Sequence, residues 1–197
     1  DLALGMWFPM GGIYRIVEDL VALGEQMGVK LRLNAPVDQI LIEDGRAAGV
    51  RLEGGEQILS DLVISNADLP YTYRKLIEAR YRKAYPDEKL DRMSYACSGF
   101  LLYLGVDKTY THLRHQALYF SEDYRANLDA IFKTRTMPAE PSFHLSVPTV
   151  TDPSLAPQGH TLLYVLAPMP NLQPPADGSQ PIDWAQAAPL LREKLLG

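Results

Sequence analysis

Four histidines, one cysteine and a scatter of carboxylates are the side chains here that could bind a metal, attack a carbon or move a proton. His112 and His115 lie three apart, a spacing that can offer two imidazoles to one ion. A metal site needs three or four ligands at recognisable spacing, and nothing places Cys97 or Asp107 beside that pair, so no metal is expected. Cys97 stands at the start of an apolar run, where a thiol packs as a small, inert hydrophobe; a nucleophile would need a base beside it. The carboxylates of Asp38, Glu43 and Asp44 fall among turn signals, where solvent exposure is expected, and no residue is assigned a catalytic role. The phosphate-cradling Gly-x-Gly-x-x-Gly turn is absent, as are a Walker loop and a Gly-x-Ser-x-Gly elbow.

The elements that must position these residues fall into two textures. Gly11-Gly12 opens a helix whose Ile13, Ile16, Val17, Leu20, Leu23 and Met27 recur every three or four residues and form one apolar face, closed by Gly28. Val29 to Leu33 reads as a short strand. Three strands follow, 37–42, 48–52 and 57–59, separated by the turn pairs Asp44-Gly45 and Gly54-Gly55. Leu62-Val63-Ile64 reads as a buried strand. Asp68 is placed to cap a helix with Pro70 in its first turn, running to about Ala84 with Tyr73, Ile77 and Tyr81 as its stripe.

Beyond it the strands lengthen: Ser98 to Val106, a short one at 117–120, then Phe143 to Val147 and Thr161 to Ala167. A helix from Ser121 is inserted among them, and a last one starts at Trp184. The fold class is α/β of the α+β type, with hairpin strands first and a mostly antiparallel sheet with flanking helices second. The boundary falls within residues 68–92.

The bulk numbers narrow the partners. With 19 basic against 24 acidic residues, the chain is not expected to bind nucleic acid. A single cysteine excludes an intrachain disulfide and fits a reducing compartment, so a cytoplasmic location is expected. No apolar run approaches the roughly 20 residues that cross a bilayer.

Several blocks, taken in order, carry a resemblance. They are Trp7-Phe8-Pro9-Met10-Gly11-Gly12-Ile13-Tyr14, then Asn34-Ala35-Pro36-Val37-Asp38-Gln39-Ile40, Gly49-Val50-Arg51-Leu52 and Ile64-Ser65-Asn66-Ala67-Asp68. Further on come Phe100-Leu101-Leu102-Tyr103-Leu104-Gly105, Thr151-Asp152-Pro153-Ser154-Leu155-Ala156-Pro157-Gln158-Gly159 and Tyr164-Val165-Leu166-Ala167-Pro168. This order resembles the phytoene desaturase (carotenoid desaturase) family of flavoproteins, relatives of the flavin amine oxidases. The likeness runs along almost the whole chain, and the last two blocks are the ones more particular to the carotenoid branch.

The resemblance implies a piece of a larger FAD-dependent enzyme that desaturates a polyene precursor such as phytoene. Residues 1–68 would be a partial FAD-domain segment, 69–92 a connecting helix, and 93–197 a substrate domain truncated at its C-terminus. The dinucleotide turn would lie upstream and a closing flavin stretch downstream, so the piece by itself is expected neither to hold FAD tightly nor to be active. Val37 would offer its backbone to the adenine end of FAD. Gly11 and Gly12 would border the substrate cavity. Trp7, Phe8, Met10 and Tyr14 would line it around that turn, with Phe100, Leu102, Phe143 and Leu145 as a second wall, because a long polyene needs an apolar, concave site. Rival readings are a family member acting on retinoids, other isoprenoids or amines, and a non-catalytic module that binds a hydrophobic ligand. Oligomeric state is left open.

Residues 71–92 carry seven basic and four acidic side chains interleaved with Tyr71, Tyr73, Tyr81 and Tyr85. Either a solvated helix face or a peripheral membrane contact fits that pattern; in the second case tyrosines sit at headgroup level and basic residues meet anionic lipid.

Overall fold

The computed structural model describes residue 5 and residues 7–197. The chain forms two compact units: one takes the residues to Leu23 together with Tyr95–Gly197, the other Gly24–Ser94.

Helix α1, Tyr14–Gln26, follows the period of its apolar residues and stops at Gly28, whose φ of +84° suits a residue without Cβ. None of its residues is buried, and Leu20 keeps 62% of its surface exposed. Residues 29–33 are exposed and form no strand.

In the second unit, β1 (Val37–Glu43), β2 (Arg46–Leu52) and β3 (Gln57–Leu59) make an antiparallel meander in the order β1-β2-β3. The two-residue turn Asp44-Gly45 joins Glu43 to its partner Arg46 with both φ angles positive, the conformation that matches strand twist. Gly49 is required where β2 passes β3: a Cβ there would lie 2.2 Å from the carbonyl oxygen of Ile58. Ile40 and Leu52 are buried, and Arg51 grips Asp38 through its Nε at 2.9 Å.

Two further expectations for this unit are corrected. Leu62-Val63-Ile64 is not a buried strand: Leu62 and Ile64 are 70% and 84% exposed, and no strand of the meander pairs with them. The single helix from Asp68 to Ala84 is also replaced. A short turn at Leu69–Tyr71 widens into a π-type turn at Thr72–Leu76, Ile77 is extended, and a 3₁₀ turn (Ala79–Tyr81) and a helical turn (Asp87–Asp91) follow. Tertiary contacts override the period. Leu76 and Leu90 go into the interior, Tyr73 meets the Tyr85 ring at 4.5 Å, and Asp87 binds both Arg82 and Arg74.

In the first unit, β4 (Ser98–Val106), β5 (Gln116–Tyr119), β6 (Phe143–Ser146) and β7 (Thr161–Met169) form one antiparallel sheet ordered β4-β7-β6-β5. Helix α2, Tyr124–Asp129, lies between β5 and β6 in the chain, capped by Asp123 and prolonged by a π-type turn. Helix α3, Trp184–Leu196, begins at Asp183, whose carboxylate accepts the Ala185 N–H.

Directly paired residues share a face of the sheet. The register Phe100↔Ala167, Leu102↔Val165 and Leu145↔Val165 therefore puts Phe100, Leu102 and Leu145 on one face with Ala167 and Met169. There Ala167, Met169 and Leu191 of α3 form the core, with Phe100, Phe143, Trp184 and Met137 packed around them. Tyr103↔Tyr164 and Gly105↔Leu162 belong to the other face.

Among the described residues no helix is long and apolar enough to cross a membrane.

Candidate functional site: an apolar groove under a glycine turn

The other face of the sheet floors a groove of about 840 Å³, inside the roughly 300–1,000 Å³ usual for a small-molecule site. One wall comes from the glycine turn and the start of α1, through Phe8, Gly12, Ile13 and Tyr14. The floor is Tyr103, Gly105, Ser146, Leu162 and Tyr164, and Pro148 and Leu155 close the far side.

The glycine turn is dictated locally. Gly12 N–H donates to the Pro9 carbonyl at 3.0 Å, and Gly11 and Gly12 hold φ of +88° and +92°, where an L side chain is strained. Gly12 also has a packing reason: a Cβ would stand 3.4 Å from Leu155 Cδ2.

One carboxylate anchors this turn. Asp152 is 2% exposed; its Oδ2 accepts the Gly11 N–H at 2.6 Å, and its Oδ1 accepts the Ser154 hydroxyl at 2.6 Å and the Ser154 N–H at 3.1 Å. The Ser154 hydroxyl first, and then the Gly11 N–H, hold this carboxyl below the usual carboxylate range against the opposing effect of burial.

Among the described residues, no carboxylate, lysine, arginine or histidine lines the groove. Its ionisable lining is phenolic: Tyr14, and the pair Tyr103 and Tyr164, whose rings lie 5.1 Å apart. Burial, and then the neighbouring Tyr103, pushes the Tyr164 hydroxyl above its ordinary range, so it stays neutral at physiological pH. Such a site offers apolar area, aromatic faces and a few hydroxyls.

Of the residues singled out in the sequence, Phe8, Gly12 and Tyr14 line the groove, and Gly11 stands one step behind it. Trp7 is 89% exposed, and it and Met10 are outside the lining. Phe100, Leu102, Phe143 and Leu145 are not brought to this groove. They lie on the opposite face, where Phe100 and Phe143 pack on the α3 core and Phe143 stacks on Tyr119 at 4.7 Å. Sequence reasoning missed Tyr103, Tyr164, Leu155 and Leu162. Gly99 and Gly105 alternate with Leu101 and Tyr103, and glycines on one face of a strand mark the side where something else must fit.

The histidines are dispersed. His115 donates to or accepts from the Thr151 hydroxyl at 2.6 Å and meets the Phe8 ring at 4.7 Å, whereas His112 packs edge-on to Tyr110. His160 approaches Asp107 at 3.3 Å. Cys97 is half-buried. Among the described residues no three His, Cys, Asp or Glu side chains come together as a metal site would require.

The model of the flavin-containing amine oxidoreductase family matches residues 1–175. The chain belongs to this family. Among curated members, it is 43% identical to the zeta-carotene-forming phytoene desaturase of Myxococcus xanthus, over 98% of the chain and 36% of the relative. It is 39% identical to the lycopene-forming phytoene desaturase of Pseudescherichia vulneris, over 97% of the chain and 38% of the relative. The all-trans-zeta-carotene desaturase of Myxococcus xanthus matches at 38%, over 99% of the chain. The chain thus spans a little over a third of the length of these relatives. A crystal structure of a Pyrococcus furiosus protein superposes with a TM-score of 0.62 over 95% of the chain at 21% identity, a likeness of fold.

For the family's flavin, the residues present fit one contact and lack another. Val37 opens β1, which is the outer strand of its sheet and pairs on one side with β2. An edge strand presents alternate N–H and C=O groups on its other side, the donor–acceptor pattern that a purine edge can read. A phosphate-cradling glycine turn is absent from the sequence.

Proposed function

We propose that the full-length protein is an FAD-dependent desaturase of a carotenoid precursor such as phytoene, and that this chain supplies part of its FAD domain together with its polyene-binding sheet. The observation that carries the reading is the groove: it is walled by aliphatic and aromatic side chains, and the ionisable groups among its described lining residues are phenols. Desaturase relatives of 38–43% identity along nearly the whole chain support it.

FAD, when bound, accepts a hydride from a saturated C–C bond flanked by double bonds while a proton leaves the neighbouring carbon. The chain's own residues have a positioning task. Phe8, Tyr14, Tyr103 and Tyr164 offer flat faces to a flat hydrocarbon. Leu155, Leu162 and Pro148 fill the space beside it and keep water out, and the Gly11-Gly12 turn lets backbone approach closely. Val37 offers backbone to the adenine end. The described groove residues include no carboxylate, lysine, arginine or histidine, in keeping with a reaction whose developing charge spreads over the polyene. An amine substrate, which would arrive as a cation, finds no carboxylate among the described residues of this lining, so the hydrocarbon reading is preferred to the amine one.

We also propose a peripheral membrane contact through residues 71–92, a surface suited to a substrate dissolved in lipid. Ion pairs with Asp87, Asp91 and Glu78 engage Arg74, Arg80 and Arg82 within the segment. Exposed Tyr71, Tyr81, Lys75 and Lys83 would make the contact.

The test is incubation of the full-length protein with FAD and phytoene in liposomes, following absorption for new conjugated double bonds. Their appearance is the expected result. No new conjugation with flavin loaded would overturn the assignment, and release of aldehyde and ammonia from an amine would replace it.

A further inference from the structure

Asp152 is an unusual charge in this chain: a carboxylate 2% exposed with no cation among its partners. Burying a charge without a counter-ion is costly and is tolerated only where several donors converge on it. Three do. Two of them, the Ser154 N–H and hydroxyl, are local and make an Asx-type turn of a kind that many aspartates form. Asp177 makes the same local bond to the Ser179 N–H at 2.9 Å. The third is different in kind: the Gly11 N–H comes from 141 residues away, at 2.6 Å, and belongs to the turn that walls the groove.

The geometry assigns Asp152 as the positioning residue of the groove: its carboxylate ties the glycine turn to the loop carrying Leu155 and so fixes the distance between the groove's two walls. The inference rests on the reading of that groove as the polyene site. Two independent observations converge on it. Gly12 is packed so closely that an added Cβ would stand 3.4 Å from Leu155 Cδ2, so these two groove-lining residues form a seam directly beside the bond. The two carboxylate oxygens also divide the labour, Oδ2 to the distant turn and Oδ1 to the local one. An asparagine in that place sets an N–H₂ against a donor on one side or the other, because Gly11 N–H and Ser154 N–H both need an acceptor.

The experiment uses full-length, FAD-loaded protein and lycopene in detergent micelles as the probe, with affinity read from quenching of tryptophan fluorescence. Phytoene turnover, flavin content and thermal midpoint are measured alongside. Asp152→Asn is expected to weaken lycopene binding by about tenfold, the loss of a hydrogen bond to a charged group, and to raise the KM for phytoene more than it lowers kcat, with flavin content unchanged. Ser154→Ala, which leaves the Gly11 bond in place, is expected to change binding by less than about twofold, and Asp177→Asn not at all.

A lower thermal midpoint in Asp152→Asn with wild-type lycopene affinity would reduce the residue to a structural role and overturn the inference. So would a Ser154→Ala effect as large as that of Asp152→Asn, because the local turn and not the long-range tie would then be what matters. Wild-type protein that binds lycopene but does not desaturate phytoene would remove the proposed reaction while leaving the Asp152 result to be judged on affinity alone. Wild-type protein that binds no polyene would remove both.

Discussion

The two faces of the four-stranded sheet are made of the same strands, with alternate residues assigned to opposite tasks. On one face Ala167, Met169 and Leu191 lose nearly all their surface to each other and to Phe100 and Phe143. On the other, Tyr103 is 75% exposed and Tyr164 is half-buried, above a groove of about 840 Å³. The lesson is that one face supplies stability and so frees the other to stay open. A sheet with both faces packed would bury more apolar surface and leave no groove.

That division is open to attack from either side. The largest effect is expected on the packed face: Met169→Ala, at a position 1% exposed, should cost about 2–5 kcal/mol in denaturant titration through the cavity it leaves. Ala167→Leu overfills the same layer and should cost about 1–3 kcal/mol by the same measurement. On the open face the signs change. A Cβ at Gly105 would meet no atom within 4 Å, so in Gly105→Leu stability should hold within about 0.5 kcal/mol. The added side chain enters the groove, and polyene affinity should fall by about tenfold in a binding titration. If Gly105→Leu destabilised as much as Met169→Ala, the two faces would not differ in the way described.

The smallest effect is expected from pH. Asp152 is held below the ordinary carboxylate range when folded, so its contribution is complete above the unfolded value, about 4, and is lost as pH falls through the lower folded value. Polyene affinity measured against pH should therefore be level from neutrality down to that range, with a decline only below it.

Much of this fold was legible in the residues because the signals were local. Asp44-Gly45 and Gly54-Gly55 marked the meander turns, and the period of Ile13 to Met27 marked α1. The long strand from Ser98 and its antiparallel partner from Thr161 were read nearly to their ends. Where distant contacts decide, the reading failed. The stripe Tyr73, Ile77, Tyr81 fits a helix, but the chain is pulled out of one by Asp87 and by burial of Leu76 and Leu90. Leu62-Val63-Ile64 has the composition of a buried strand and no strand here to pair with.

The site divided in the same way. The glycine turn with Phe8 and Tyr14 was legible because its chemistry is contained in eight consecutive residues. Phe100, Leu102, Phe143 and Leu145, read as a second wall, lie on the face opposite the groove, since a strand's period of two tells which residues go together but not which side of the sheet they take. Phe100 and Leu102 drew attention by their bulk, and bulk is what a core selects.

The bond from Gly11 to Asp152 also sets an order of events during synthesis. The meander closes through neighbours in sequence, such as Glu43 with Arg46, and can form as soon as those residues leave the ribosome. The glycine turn must wait for a carboxylate 141 residues later, and the floor of the groove waits longer still, for β7. Closing loops of that length costs entropy before any contact repays it, so the groove assembles after the meander. Until then its apolar walls stand exposed at the tunnel exit.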